Sequence, residues 1–200
     1  MIPGLKQLFT PLNYLRIYGN HILRWYNWWM PAFMAIFLIL IMGICGWHPS
    51  VFNNDGIVTQ VTELLKMLIG FYIAALAAVS TFPSAVLNDP ISGEPVLLKA
   101  ERRGKKIEIP LNRRRFLSYL FGYLSFLSIV LFIAGLIASF VHEPLSNIVS
   151  QKYHRIWILT GLSVYFFWAF NLLITTLLGL HYLTDRIHRP SDNTINPNTD

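Results

Sequence analysis

Residues 116–141 read FLSYLFGYLSFLSIVLFIAGLIASFV, twenty-six consecutive positions without a charged side chain. At 1.5 Å per residue, a helix of this length extends about 39 Å, enough to cross a hydrocarbon core of roughly 30 Å with some tilt. Three similar runs flank it. Residues Trp28 to Trp47 hold twenty positions without a charge. Trp25, Trp28 and Trp29 mark one end of that run and Trp47 the other, as expected of indoles that prefer the headgroup level. The run from Leu64 to Leu87 has one charge, Lys66, near an end from which the amine can reach water. Pro83 is expected to kink or end that helix. The last run, Ile156 to Leu183, carries His181 near its exit. The pattern predicts an all-α membrane protein of four transmembrane helices, with spans at about 28–47, 64–87, 116–141 and 156–183 in a single domain over residues 1–189. Composition agrees: 54% of residues are hydrophobic and 13% charged, against about 25% charged in soluble domains.

Lysine and arginine orient the spans. The segment before the first run holds Lys6, Arg16 and Arg24, the central loop (88–115) holds eight bases, and the C-terminal tail two. The first loop has none and the third has two. Thirteen bases against two place both termini and the central loop in the cytoplasm. Direct nucleic-acid binding is not expected of a +6 chain whose bases flank apolar runs. Cys45 is the single cysteine, so no disulfide forms within the chain. With Ile44 before it, Cys45 does not read as a lipoprotein cysteine, and residues 1–27 do not read as a cleaved signal.

Between Leu12 and Asn27, polar Asn13, Arg16, Asn20, Arg24 and Asn27 recur every three or four positions. This predicts an N-terminal amphipathic helix at the membrane interface, with Thr10 as N-cap and Pro11 at the first helical position. In the central loop, Asn88, Asp89, Pro90, Ser92 and Gly93 form turns. A small β-hairpin is expected around Gly104, with Ile107 and Ile109 alternating with Glu108. An isolated hairpin is marginal in water, so it should lean on another subunit, a partner or the bilayer surface. Residues 190–200, rich in Asn, Pro, Ser and Thr, are expected to be disordered.

No ionisable group lies near the middle of any span. Such groups mark membrane enzymes and proton-coupled transporters, so no catalytic residue, cofactor or enzymatic activity is expected. His48, His142 and His154, expected near the outer face with Asp55, Glu63 and Glu143 in the same compartment, lack the spacing of a metal motif. Gly104-Lys105 lacks the glycine and hydroxyl residue of a phosphate loop. Asn171, followed by Thr175 and Thr176, reads as a helix-to-helix hydrogen bond or as a pore lining. The small residues Gly70, Ala74 and Ala78, then Gly135 and Ser139, and Ser118 and Gly122, permit close packing within one subunit or between subunits of a homo-oligomer. Lys99, Arg102, Arg103, Lys105 and Lys106, interleaved with Glu94, Glu101 and Glu108 and joined by Ile107 and Ile109, suit docking of a cytosolic protein. Arg113, Arg114 and Arg115 suit lipid headgroups and topology.

The four runs, the short outer loops and the basic loop at 95–111 together resemble the membrane subunits, called KwaA, of the bacterial Kiwa anti-phage defence system. The resemblance covers the whole chain and is one of layout, with no short motif to carry over. It implies a homo-oligomer, a tetramer, in the bacterial inner membrane, which senses phage infection and binds a cytosolic DNA-binding partner, KwaB. Independently of it, a non-enzymatic sensor or scaffold that recruits a cytosolic partner is expected. The alternative is an oligomeric channel or pore-forming effector that depolarises the membrane.

Overall fold

The computed structural model describes residues 9–18, 25–44, 51, 56–81, 87, 97–102, 105–148 and 151–186. Four helices dominate: α1 (Met30–Ile44), α2 (Ile57–Thr81), α3 (Arg113–Ile148) and α4 (Gln151–His181). A π-helical turn, Trp25–Trp29, leads into α1, and another, Tyr182–Arg186, closes α4. The segments long and apolar enough to cross a bilayer are Trp25–Met42, Ile57–Thr81, Arg113–Val141 and Trp157–Thr184. The chain is a multi-pass membrane protein.

Two boundaries differ from the sequence reading. Helix α2 begins at Ile57 instead of near residue 64, which takes Glu63 out of the expected loop and into the helix. The Glu63 carboxylate and the Lys66 amine pair at 2.6 Å one turn apart, so the helix carries both charges as one exposed ion pair. Helix α2 spans Ile57–Thr81, and Pro83 lies outside the described residues. The loop expected at 142–155 is mostly helix: α3 runs to Ile148 and α4 starts at Gln151.

Helices α3 and α4 form the middle of the bundle. Helix α2 packs along α3 and α1 along α4. The buried positions of α3, Leu117, Leu120, Phe121, Leu124, Leu127 and Leu131, recur every three or four residues and draw one stripe down the helix. That stripe covers the half of α3 nearer its arginines, here termed the basic end. Toward the other end Ile133, Ile137 and Phe140 are exposed, as lipid-facing positions are. A second cluster joins Ala35, Val58, Leu162 and Phe166 from α1, α2 and α4.

The N-terminal region departs most from expectation. In place of one amphipathic helix over 12–27, a 3-10 helix spans Thr10–Arg16 and stops at Ile17, whose backbone is extended (φ −71°, ψ 130°). The N-cap is Phe9, with no side-chain cap, and Thr10 is the first helical residue. The interfacial stripe loses because the segment is pulled in from both ends. Tyr14 is buried against α3 and α4, with Leu12, Leu15 and Ile17 packed on the same core. Ile17–Tyr18 forms strand β1, using a β-branched and an aromatic residue suited to a sheet.

Two further strands, β2 (Leu97–Arg102) and β3 (Lys105–Pro110), complete an antiparallel sheet in the order β1-β2-β3. Ile17 pairs with Leu98, and Leu98 with Ile109. Farther along, Lys99 pairs with Glu108, Glu101 with Lys106 and Arg102 with Lys105. Chain directly after β3, at Leu111, is buried in the bundle core, so the sheet sits at the basic end. The expected turn residues 88–93, Arg103 and Gly104, Cys45, Trp47 and the tail 190–200 lie outside the described residues.

The first helix is also staggered. Trp28 packs on Phe167 and Trp168 at centroid distances of 6.1 and 6.5 Å, near the middle of the Trp157–Thr184 segment. Trp25, Trp28 and Trp29 therefore lie level with the middle of the fourth span and do not mark an end of the bundle. The cause is the chain before them: the Thr10–Arg16 helix occupies the basic-end half of the α3–α4 cleft, leaving α1 to run along the other half of α4.

A candidate site where the N-terminal segment meets the third and fourth helices

The most unusual feature of the bundle is a neutral polar centre at mid-depth. Tyr123 on α3 is fully buried, and its hydroxyl donates to Asn171 Oδ1 on α4 at 2.6 Å. Asn171 Nδ2 donates to the backbone carbonyl of Asn27 at 2.6 Å. One amide thus joins α4, α3 and the turn that starts α1. A tyrosine can be buried when its apolar ring packs and its hydroxyl finds a partner, and here both conditions hold.

Tyr14 adds a fourth element. Its ring stacks on Tyr123 with centroids 5.0 Å apart and planes 23° from parallel. It also contacts Phe116 at 6.4 Å, and Phe116 in turn contacts Tyr182 at 5.0 Å. The side chains of Asn27 and Thr175 interact with the Tyr14 hydroxyl. Thr175, one turn beyond Asn171, is completely buried. A separate bond ties α2 to α4. Thr176 Oγ1 donates to the Leu172 carbonyl at 2.7 Å, so its single hydrogen is used. The Tyr72 hydroxyl is then the donor in the 2.6 Å contact between Tyr72 and Thr176.

Above this centre, α3 and α4 separate. An apolar cleft of about 650 Å³ opens between Val130, Ala134 and Ala138 of α3 and Trp157, Gly161 and Val164 of α4. Leu12 and Leu15 of the N-terminal segment form part of its lining. The segment is therefore a plug in one half of a cleft whose other half is open.

The residues singled out from sequence fall into separate groups. Asn171 bonds inside the protomer, as does Thr176, and Thr175 is buried there, so the set considered as a pore lining is turned into the bundle. Gly135 is a contact between α3 and α2: a Cβ added there would lie 2.5 Å from Thr62 Oγ1 and 3.1 Å from Tyr165 Oη. Ser139 bonds back to the Gly135 carbonyl at 3.0 Å. Gly70 has nothing within 4 Å of such an added carbon, and both Gly70 and Ala74 are exposed, while Ala78 is half-buried. Among the described residues, the α2 ladder therefore has no partner at Gly70. Of the three arginines expected at headgroups, Arg115 is exposed, Arg114 reaches the Ser80 carbonyl at 3.4 Å, and Arg113 is buried at 1% exposure with partners inside the protein. Arg113 is thus turned into the protein at the start of α3. Lys99 and Arg102 lie on β2, and Lys105, Lys106, Ile107 and Ile109 on β3. No group of three His, Cys, Asp or Glu side chains is arranged to hold a metal among the described residues.

Sequence reasoning misses Tyr14, Tyr123 and Tyr72, and gives Asn27 only a place in the polar stripe. Tyr123 carried a usable signal, since a tyrosine deep in an apolar run needs a partner for its hydroxyl. Tyr14 carries none, because the rings it packs on, Phe116 and Tyr123, come from chain more than a hundred positions away. No family model, curated protein or solved structure matches the chain.

Proposed function

We propose that the chain is a non-enzymatic membrane sensor or scaffold that assembles with copies of itself and recruits a cytosolic protein through its basic sheet. In this reading the sheet, the basic end and both termini face the cytoplasm of a bacterial cell, across whose inner membrane the four helices pass. The observation that carries the proposal is the continuity between the sheet and the mid-depth centre. Only two residues separate Tyr14, stacked on Tyr123, from Ile17, paired with Leu98. A change in how α3 and α4 pack would reach the sheet through that short rigid link, and a partner held on the sheet would feel it. Such an element, biased from both sides, is what coupling between two sites requires.

Charge supports the same reading. Arg113, Arg114 and Arg115 open α3, where the helix dipole disfavours cations by about 0.3–1 kcal/mol each. Bases kept in an electrostatically poor position suit a topological role. A place in anti-phage defence, like that of the Kiwa membrane subunits with a KwaB-like partner, belongs to the same proposal and rests on layout. The test is recovery of cytosolic proteins by the membrane-embedded chain, comparing wild type with Arg102, Arg103, Lys105 and Lys106 changed together to Glu. Loss of a specific partner is expected, and undiminished recovery would refute the sheet as the docking surface.

A further inference from the structure

The open half of the cleft between α3 and α4 has the length of one membrane leaflet. Along α4 its lining runs from Trp157 to Trp168, a rise of about 16 Å at 1.5 Å per residue. That is half of a hydrocarbon core roughly 30 Å thick. Trp157 opens the Trp157–Thr184 segment and is 68% exposed, as suits an indole at headgroup level. Trp168 packs on Trp28 near mid-depth. On α3 the lining stops at Val141, where the Arg113–Val141 segment also ends. The cleft therefore extends from the membrane boundary farthest from the arginines to the bilayer middle, where Leu12 and Leu15 line it.

Its walls select an apolar occupant. Tyr123 spends its hydroxyl on Asn171 and the Tyr165 hydroxyl is buried, so both tyrosines offer ring surface to the cleft. An internal water needs two to four polar partners, which such walls do not supply. Space is open partway along: a Cβ added to Gly161 meets nothing within 4 Å. Left unfilled, the slot would forfeit the dispersion contacts of the side chains along it. Spread over its length, a volume of about 650 Å³ gives a section of about 40 Å². A helix from a second copy, 10–12 Å across with its side chains, needs roughly 80–110 Å². The chain before Phe9 includes Lys6, a charge that the hydrocarbon layer disfavours. An acyl chain is thin, unbranched, uncharged and one leaflet long. We propose that the cleft is a binding site for one acyl chain of a phospholipid from the leaflet away from the arginines. Charge at the mouth suits its phosphate. Helix α4 begins with Lys152 and Arg155 just before Trp157, at the positive end of the helix dipole, against Glu143 near the end of α3. The end of the bound chain rests on Leu12 and Leu15, so the lipid braces the N-terminal segment. The site requires that the helices cross a bilayer, and does not require that the sheet recruit a partner.

Carbene labelling of the intact protein tests the site, in nanodiscs of phosphatidylglycerol and phosphatidylethanolamine. A trace of the phosphatidylglycerol carries a diazirine at the end of one acyl chain. After illumination, Leu127 and Trp168 in the cleft should be labelled several-fold more heavily than Ile129 and Phe71, which are exposed on the bundle surface. Gly161→Leu fills the slot from its own wall and should abolish that excess, whereas Leu177→Phe on the exposed face of α4 should leave it unchanged. Ala134→Leu fills the slot from α3 and gives the same reading should Gly161→Leu fail to fold. Native mass spectrometry of the detergent-released protein should show one retained phospholipid per protomer in wild type and none in the filled variant. Equal labelling of Leu127 and Ile129 in wild type, or an excess that survives filling of the slot, would overturn the proposal. Neither measurement reads recruitment of a cytosolic protein, so failure of one reading leaves the other standing.

Discussion

The ring of Tyr14 lies stacked on the ring of Tyr123, 5.0 Å between centroids, and this contact fastens the start of the chain to the middle of its third helix. Aromatic pairs of this kind contribute about 0.5–1.5 kcal/mol beyond the area they bury.

Replacing Tyr14 with Ala should therefore destabilise the protein by about 3 kcal/mol, the range for removing a large buried aromatic side chain. The Thr10–Arg16 segment should also leave the cleft. Denaturant titration in micelles measures the first effect. Protease access to the segment measures the second, and protection equal to wild type would refute it.

The Tyr123–Asn171 bond should show as a coupling between the two positions. Tyr123→Phe alone is expected to cost about 1 kcal/mol, in line with hydrogen bonds inside membrane bundles. Asn171→Ala should cost more, because it also leaves the Asn27 carbonyl without its donor. Once Asn171 is removed, Tyr123→Phe should cost little. A double-mutant cycle on unfolding free energies reads the coupling, and additive losses would mean the bond contributes nothing.

Gly135 and Gly70 should respond in opposite ways to the same change. Gly135→Ala places a methyl group against Thr62 Oγ1, forcing α2 and α3 apart, at an expected cost of about 1–3 kcal/mol. Pairing it with Thr62→Ala should recover part of that loss. Gly70→Ala meets open space, and the gain in helix propensity should leave the monomer unharmed or up to about 1 kcal/mol more stable. Thermal shifts of the three variants decide the matter. If Gly70→Ala instead lowers oligomer content by size-exclusion chromatography, the α2 ladder meets another copy.

Ile17→Pro removes the backbone N–H that bonds to the Tyr14 carbonyl and places in β1 a residue without a ladder donor. Amide exchange at Leu97 and Leu98 should accelerate by about tenfold or more if that pairing is worth over 1.4 kcal/mol. Exchange within α3 should change little. Unchanged exchange at Leu98 would mean that β2 and β3 need no third strand.

The four spans are legible because lipid imposes a simple rule: every crossing segment must be long, apolar and internally hydrogen-bonded. The boundaries are less so. Glu63 looked like loop because a lone charge is costly in lipid, and its pairing with Lys66 one turn away removes much of that cost. The N-terminal stripe of Asn13 and Arg16 had helical spacing, but spacing cannot reveal that Ile17 is claimed by a strand eighty residues later. The mid-depth centre is half legible. Asn171 stands out as a polar side chain in the middle of a span, whereas Tyr14 takes its place by stacking on rings distant in sequence.

The bond between Asn171 and the Asn27 carbonyl spans 144 residues of chain. A growing polypeptide emerges from its N-terminus, so the wall against which Tyr14 stacks does not exist until the third helix has been made, and the bond to Asn171 must await the fourth. Tyr14 and Asn27 must therefore wait, without their final contacts, until more than a hundred further residues have been made. Assembly of this bundle closes on the segment that was synthesised ahead of all four helices.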